Sequence, residues 1–383
     1  MTTIDTRGIV DWLIDGARDC VPPQEVLRKL SEDLLAAGVP VSRNAVFVLT
    51  HHPQVAGRRF AWRRGAPMEV SELKYEVIAT SGYTDSPVNY VFEKNSELRR
   101  PLGRSDCPMD FPILKELREQ GITDYFGTPL RFTFGEVHAA IWATNEPGGF
   151  SAAHIEAIRS VVPPLARVAE VRALTRTSSA LLDTYVGHNT GERVRAGHIR
   201  RGDTEAIRAA IWLSDMRGFT ALSDRESPQT ILEVLNRYFD CQVPAITEHG
   251  GEVLKYMGDG LLAIFPVTEE TNPDRACAEA LAAAHEARAQ VAAIAGMRFG
   301  LALHLGDVLY GNIGSGNRLD FTCIGPAVNL AARLEKVASQ LGRSVVASEA
   351  FAGHAPNMLI PLGTFPLAGF QAPQHAFGLA DDQ

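Results

Sequence analysis

Cysteine is scarce in this sequence of 383 residues: five in all, Cys20, Cys107, Cys241, Cys277 and Cys323. Their number is odd, their spacing is wide, and no CxxC pair occurs. A zinc framework and a disulfide scaffold are therefore not expected, and the thiols read as reduced. Long apolar runs are missing too. No stretch of about 18 uncharged apolar residues occurs, so no membrane span is expected. The opening MTTIDTRGIVDWLIDGARD carries early acids and no secretory apolar segment, and the expected compartment is the cytoplasm. Basic residues are outnumbered, 37 Lys and Arg against 45 Asp and Glu, for a net charge of −8. A nucleic-acid polymer needs a clustered basic face and is not expected as a partner. A single nucleotide is not excluded, because metal ions and a few local cations can neutralise one triphosphate.

What is present is the balance of an ordinary globular protein, 45% hydrophobic and 21% charged, in a chain long enough for two domains. Residues 1–170 read as one unit. Helical spacing runs from Ile9 to Ala17 and from Pro23 to Ala37, and AVFVLT at 45–50 and VHAAIWA at 137–143 read as strands. Gly148-Gly149 breaks the chain, and Ser151 is a helix N-cap candidate. Pro163-Pro164 is expected to interrupt the helix that follows, with helical character resuming to about Leu182. The segment TPLRFTFGEVHAAIWATNEPGGFSAAHIEAIRSVVPPLARVAEV resembles the end of a GAF-type sensory domain, which implies an α+β regulatory unit receiving a small-molecule or protein signal. His51-His52 and Cys107 are conceivable ligand residues, but lone His and Cys are more often surface or core, and no ligand is assigned to them.

Residues 171–205 bridge the halves. Val171, Leu174, Leu181, Leu182 and Tyr185 form a rough helical stripe that needs a partner to cover it, so this stretch reads as a helical, dimerising transducer. The domain from 206 to 383 alternates strands and helices, which implies a mixed sheet covered by helices. The expected elements are a strand at 207–213, a helix at about 228–249, a hairpin at 252–266 and a helix at 273–294. A strand at 298–305, a hairpin region at 307–325, a helix at 326–341, a strand at 344–347 and a final strand pair follow. Ser227-Pro228 starts the first helix, and Pro244 is expected to kink it.

Three segments of this domain carry chemistry. In IWLSDMRGFT, 211–220, an apolar strand ends in Asp215, with a turn at Gly218 beyond it. In GEVLKYMGDGLLAIF, 251–265, two apolar strands flank Gly258-Asp259-Gly260, a hairpin signal. In RLDFTCIGPAVNLAARLE, 318–335, Pro326 starts a helix on which Asn329 and Arg333 share one face. Each alone is weak, since an Asp after a strand or in a turn commonly serves only that turn. Together, two carboxylates converging on one point attract hard divalent cations, and an arginine can stabilise charge growing on phosphorus.

In type, order and spacing these segments resemble the class III adenylyl and guanylyl cyclases, over about residues 205–380. The resemblance implies a ferredoxin-like, palm-type domain. It implies that Asp215 and Asp259, with the Met216 carbonyl, hold two divalent metal ions, Mg2+ or Mn2+. Gly218, Phe219 and Thr220 correspond to the loop whose amides cradle the phosphates. Asn329 corresponds to the residue that orients the ribose, and Arg333 to the transition-state arginine. Lys255 and Thr322 correspond to the base-reading pair. A Lys at the first of these positions accepts adenine where guanine-specific relatives carry Glu, so ATP is the implied substrate and cyclic AMP the product. Family members build each site from two chains, which implies a homodimer here, since one chain carries a single complete set. Two departures stand out: Ala368 where a basic residue commonly holds the terminal phosphates, and Asp307 where some relatives have Arg. Guanylate cyclase activity and a catalytically silent regulatory or ligand-sensing module are the alternatives.

Overall fold

A computed structural model of the chain describes residues 4–20, 22–50, 55–355 and 357–382. It divides into two compact units, Met1–Leu181 and Leu182–Gln383. In the first, helices α1 (Arg7–Ile14) and α2 (Pro23–Ala36) precede strands β1 (Arg43–Leu49), β2 (Gly57–Arg63) and β3 (Glu69–Leu73). Three short helices follow, α3 (Tyr75–Ile78), α4 (Ser81–Thr84) and α5 (Pro87–Lys94). Then come β4 (Leu98–Arg100), α6 (Pro112–Glu119), β5 (Asp124–Arg131), β6 (Val137–Thr144) and the long α7 (Ala152–Val186). The strands form one antiparallel sheet in the order β3-β2-β1-β6-β5-β4. Alternation along the strands gives the sheet two apolar faces. One face packs with Leu30, Leu34, Trp142, Ile158 and Leu165, burying α2 and α7; the other packs with Val91, Leu114, Tyr125 and Ile141, burying α5 and α6. Against this second face lies a cavity of about 530 Å3, whose lining includes Phe47, Trp62, Tyr83, Arg43 and Tyr125. The Tyr125 hydroxyl is buried and has no hydrogen-bond partner among the described residues.

The Ser151 hydroxyl does cap α7, accepting from the His154 amide at 3.2 Å. Pro163-Pro164 does not interrupt this helix, which runs unbroken for 35 residues. The prolines remove two backbone donors, but Val161, Leu165, Ala166 and Val168 around them are buried, and that packing outweighs the local loss. His51 and His52 lie outside the described residues. Cys107 is a buried thiol whose pKa is raised by burial.

The second unit opens with α8 (His188–Arg195) and strand β7 (Thr204–Met216). Helices α9 (Phe219–Ser223), α10 (Pro228–Asp240) and α11 (Val243–Glu248) lead to the hairpin β8 (Glu252–Met257) and β9 (Gly260–Pro266). Then follow α12 (Pro273–Ala292), β10 (Phe299–Ser315), β11 (Arg318–Ile324), α13 (Pro326–Leu341), β12 (Val345–Ser348), α14 (Glu349–Ala352), β13 (Ile360–Phe365) and β14 (Gln374–Gly378). The sheet order is β13-β14-β12-β10-β7-β9-β8, with β11 folded onto β10. The β10–β12 pair is parallel and the others are antiparallel, so the sheet is mixed. Central β7 feeds both faces: Ala210 and Trp212 pack with the alanine-rich side of α12, Ala209 and Ile211 with Ala327 and Ala331 of α13. This is the mixed α+β sheet covered by helices that the alternating pattern implied.

Two expectations need correction. The helix at 228–249 is two helices, broken at Cys241-Gln242, because Pro244 supplies no donor and restricts the residue before it. The strand at 298–305 does not stop there but continues to Ser315, pairing β7 along its first part and β11 along its second.

Candidate active site

Asp215 is the penultimate residue of β7, where the strand leaves the sheet. Asp259 sits in the two-residue turn between β8 and β9, closed by the Met257–Gly260 pair. Gly258 has φ 68°, the left-handed region that tight turns require of glycine. β9 pairs β7 through Ser214 and Leu261, which brings the turn beside the strand end. The fold thus brings two acids together that stand 44 positions apart in sequence. Their convergence has an electrostatic signature. Burial, and next the charge of Asp259, push the Asp215 carboxyl up to about 7; the charge of Glu335 adds to this and that of Arg217 opposes it. Two carboxylates that resist joint ionisation are a seat for a cation.

Arg217 and Glu335 were not singled out from the sequence. Arg217 donates from Nη1 to Glu335 at 2.5 Å, and both side chains are largely buried. The guanidinium lies over Gly300, where a Cβ would fall 1.6 Å from its Nη2. Gly300 is the register partner of Asp215. An acid and a base 118 positions apart give no local signal, and only the fold reveals their pairing.

Beyond Asp215, Gly218 takes φ 76° and caps the five-residue α9, and Gly218 and Thr220 are exposed while Phe219 is partly buried. The Met216 side chain is buried. Among the described residues no group of three or more His, Cys, Asp or Glu side chains is placed to hold a metal. Any cation at the aspartate pair would therefore complete its shell with carbonyl, water or substrate oxygens.

The base-reading candidates form a second cluster. Lys255 on β8 donates to Asp320 of β11 at 2.6 Å. That contact holds the Asp320 carboxyl below its usual range. Thr322 follows two residues later on the same strand, hence on the same face. Asp320 is a residue the sequence reading passed over.

Helix α13 holds the third cluster. Ala327, Ala331, Leu334, Glu335 and Ala338 point inward, whereas Asn329 and Lys336 are exposed and Arg333 is only partly covered. At 100° per residue, Arg333 and Glu335 stand about 160° apart around the helix, and Asn329 and Arg333 only about 40°. Glu335, on the inward face, is among the charges that act most strongly on Asp215. One chain therefore assembles the acids at one place and presents Asn329 and Arg333 elsewhere. Asp307 lies on β10 opposite Arg208 of β7, and Ala368 lies between β13 and β14.

Residues 204–352 match the family model of the adenylate and guanylate cyclase catalytic domain, a span that contains all ten candidate residues. An adenylate cyclase of Anabaena cylindrica is 33% identical over 40% of this chain and 32% of its own length. Adenylate cyclase 1 of Rhizobium meliloti is 29% identical over 46% of this chain and 28% of its own. The chain thus spans about a third of the length of these curated relatives. The solved adenylyl cyclase CyaB of P. aeruginosa is 23% identical, covering 47% of this chain and 97% of that one, with a TM-score of 0.40. The likeness to the adenylate and guanylate cyclase catalytic domain thus lies in residues 204–352 of this chain.

Proposed function

We propose that this protein is an adenylate cyclase, converting ATP to 3′,5′-cyclic AMP and pyrophosphate at sites shared between two copies of the chain. The observation that carries the reading is the convergence of Asp215 and Asp259, where burial first and the Asp259 charge next raise the Asp215 carboxyl to about 7. Such a pair fits two divalent cations, Mg2+ or Mn2+, with the Met216 carbonyl and phosphate oxygens as further ligands. When bound, the cations lower the pKa of the attacking hydroxyl and hold the triphosphate. The ribose 3′-oxygen forms its bond to the α-phosphorus of the same nucleotide as the bond to the pyrophosphate oxygen breaks. The hydroxyl proton passes to solvent.

The residues of the chain supply binding and orientation. Lys255 has three N–H donors and Asp320 takes one, leaving others for adenine N1. The Thr322 hydroxyl accepts from the adenine amino group. Amides of Gly218, Phe219 and Thr220 face the phosphates, Asn329 orients the ribose, and Arg333 meets charge growing on phosphorus. The opposed faces of α13 support the homodimer: Arg333 of one copy serves the aspartates of the other, giving two equivalent sites by two-fold symmetry.

Residues 1–170 act as a GAF-like regulatory domain and 171–205 as the transducer. The six-stranded antiparallel sheet and its 530 Å3 cavity with the unpartnered Tyr125 hydroxyl support reception of a small molecule there. The test is turnover of purified chain with ATP or GTP and Mg2+ or Mn2+. Cyclic AMP should be the main product; faster turnover of GTP would refute the assignment to ATP.

A further inference from the structure

The face of the first sheet covered by α2 and α7 holds a second, separate cavity. Its inner chamber, about 70 Å3, lies between the sheet and helices α2 and α7 and is walled by Val26, Val46, Phe60, Leu165 and Ala169. That is room for several methyl or methylene groups, since about 10–15 Å3 on this measure admits one water. An outer chamber of about 210 Å3 shares Thr50, Arg58 and Arg176 with the inner one and adds Glu72. The inner chamber is thus apolar, and its mouth is cationic.

The charges at the mouth do not balance. Arg58 donates to Glu72, its register partner across β2 and β3. Arg176 on α7 has no ion pair or hydrogen bond among the described residues. Desolvation and the like charge of Arg58 both work against its protonated form, and Glu72 only partly offsets them. Three guanidiniums, Arg58, Arg172 and Arg176, and one carboxylate, Glu72, line the two chambers, and Arg172 is turned to the Ala17 and Cys20 carbonyls, so a net positive charge remains for an anion to neutralise. A polyanion such as a nucleotide does not fit, because most of its charge would face the apolar walls of Val26, Val46, Phe60, Leu165 and Ala169.

We infer that this cavity binds a single-chain aliphatic monocarboxylate, with the alkyl end between α2 and α7 and the carboxylate on the Arg176 guanidinium. An arginine fork meets a carboxylate with two parallel N–H···O bonds, which fixes the head while the tail takes up the apolar chamber. Leu165, Ala169, Arg172 and Arg176 line the cavity at helical spacing, so the ligand lies along one stripe of α7. Free acid, rather than a membrane lipid, is the occupant, because the inner chamber accommodates one short chain.

Titration calorimetry of the full chain with octanoate tests this, with 1-octanol as the neutral comparator. Octanoate should bind once per chain. Arg176→Gln, a change at an exposed and unpaired side chain, should weaken binding at least tenfold. Ala169→Phe should fill the inner chamber and abolish binding, with folding checked by circular dichroism; should that variant fail to fold, Arg176→Gln decides alone. 1-Octanol should bind more weakly, and equally to wild type and Arg176→Gln. No octanoate binding at millimolar concentration, equal affinity in Arg176→Gln, or 1-octanol matching octanoate overturns the assignment. The readout is binding, independent of cyclase turnover.

Discussion

Replacing Asp215 with Asn should make the metal-free protein more stable while abolishing its activity. The Asp215 carboxyl is raised from 3.8 to about 7, a rise of about three pH units. At 1.36 kcal/mol per unit the ionised group costs the fold at most about 4 kcal/mol. Asp215 is partly open to water, which screens some of that cost, and about 1–2 kcal/mol is the expected gain on neutralisation. The pH sign follows from linkage. Between pH 4 and 7 the folded state binds more protons than the unfolded, so the stability of the wild type falls as pH rises through that window. Above pH 7 both states are ionised and the full cost is present; near pH 4 it vanishes. Thermal melts in EDTA should therefore show Asp215→Asn above wild type by about 2–8 °C at pH 8 for a unit of this size, and nearly equal at pH 4. Mn2+ should raise the melting temperature of the wild type much more than that of the variant. A variant that melts lower than wild type at pH 8, or a difference independent of pH, would refute the electrostatic reasoning.

Asp215→Ala and Arg333→Ala should each lose most activity as homodimers, whereas an equal mixture should recover up to about a quarter of wild-type turnover, since half the dimers are mixed and each carries one intact site. No recovery after subunit exchange would refute the shared site. Gly300→Ala would drive a Cβ into Arg217 and expel it from the Glu335 pair; a loss of about 1–3 kcal/mol in denaturant melts is expected. Asp320→Ala frees the Lys255 ammonium, so KM for ATP should rise severalfold with kcat little changed; an unchanged KM would remove Asp320 from base recognition.

The parts of this molecule legible in its sequence are those held by local chemistry. Ser227-Pro228 starts α10, and the Ser227 hydroxyl accepts from the Thr230 amide at 3.2 Å, as a capping sequence dictates. The Gly258-Asp259-Gly260 turn and the apolar face of α13 are equally local, and with them Asp215, Asp259, Asn329 and Arg333 could be named. The full length of β10 is hard to read because Gly306, Gly311 and Gly314 stand in it, a residue that weakens strand interiors. In the fold, Gly311 lies so close to the Asp203 carbonyl that a Cβ would stand 2.1 Å from it, so the glycine permits pairing rather than ending it. β2 reads poorly because GRRFAWR carries three arginines; Arg58 and Arg59 are matched by Glu72 and Glu69 on β3, a complement visible only once the strands are paired. Asp320 and Arg217 escaped for the same reason: their partners are 65 and 118 positions away.

Gly187, between α7 and α8, has φ 85° and ψ 157°, a backbone shape essentially closed to every residue with a side chain. Its Cα also comes close to β8, where an added methyl would stand 3.5 Å from the Val253 carbonyl. A few residues on, Thr190 donates to Glu252 of that strand at 3.0 Å, and Tyr310 donates to the same carboxylate at 2.7 Å. The turn from α7 into α8 thus hinges on one achiral residue, and any side chain at position 187 should strain it by about 1–3 kcal/mol.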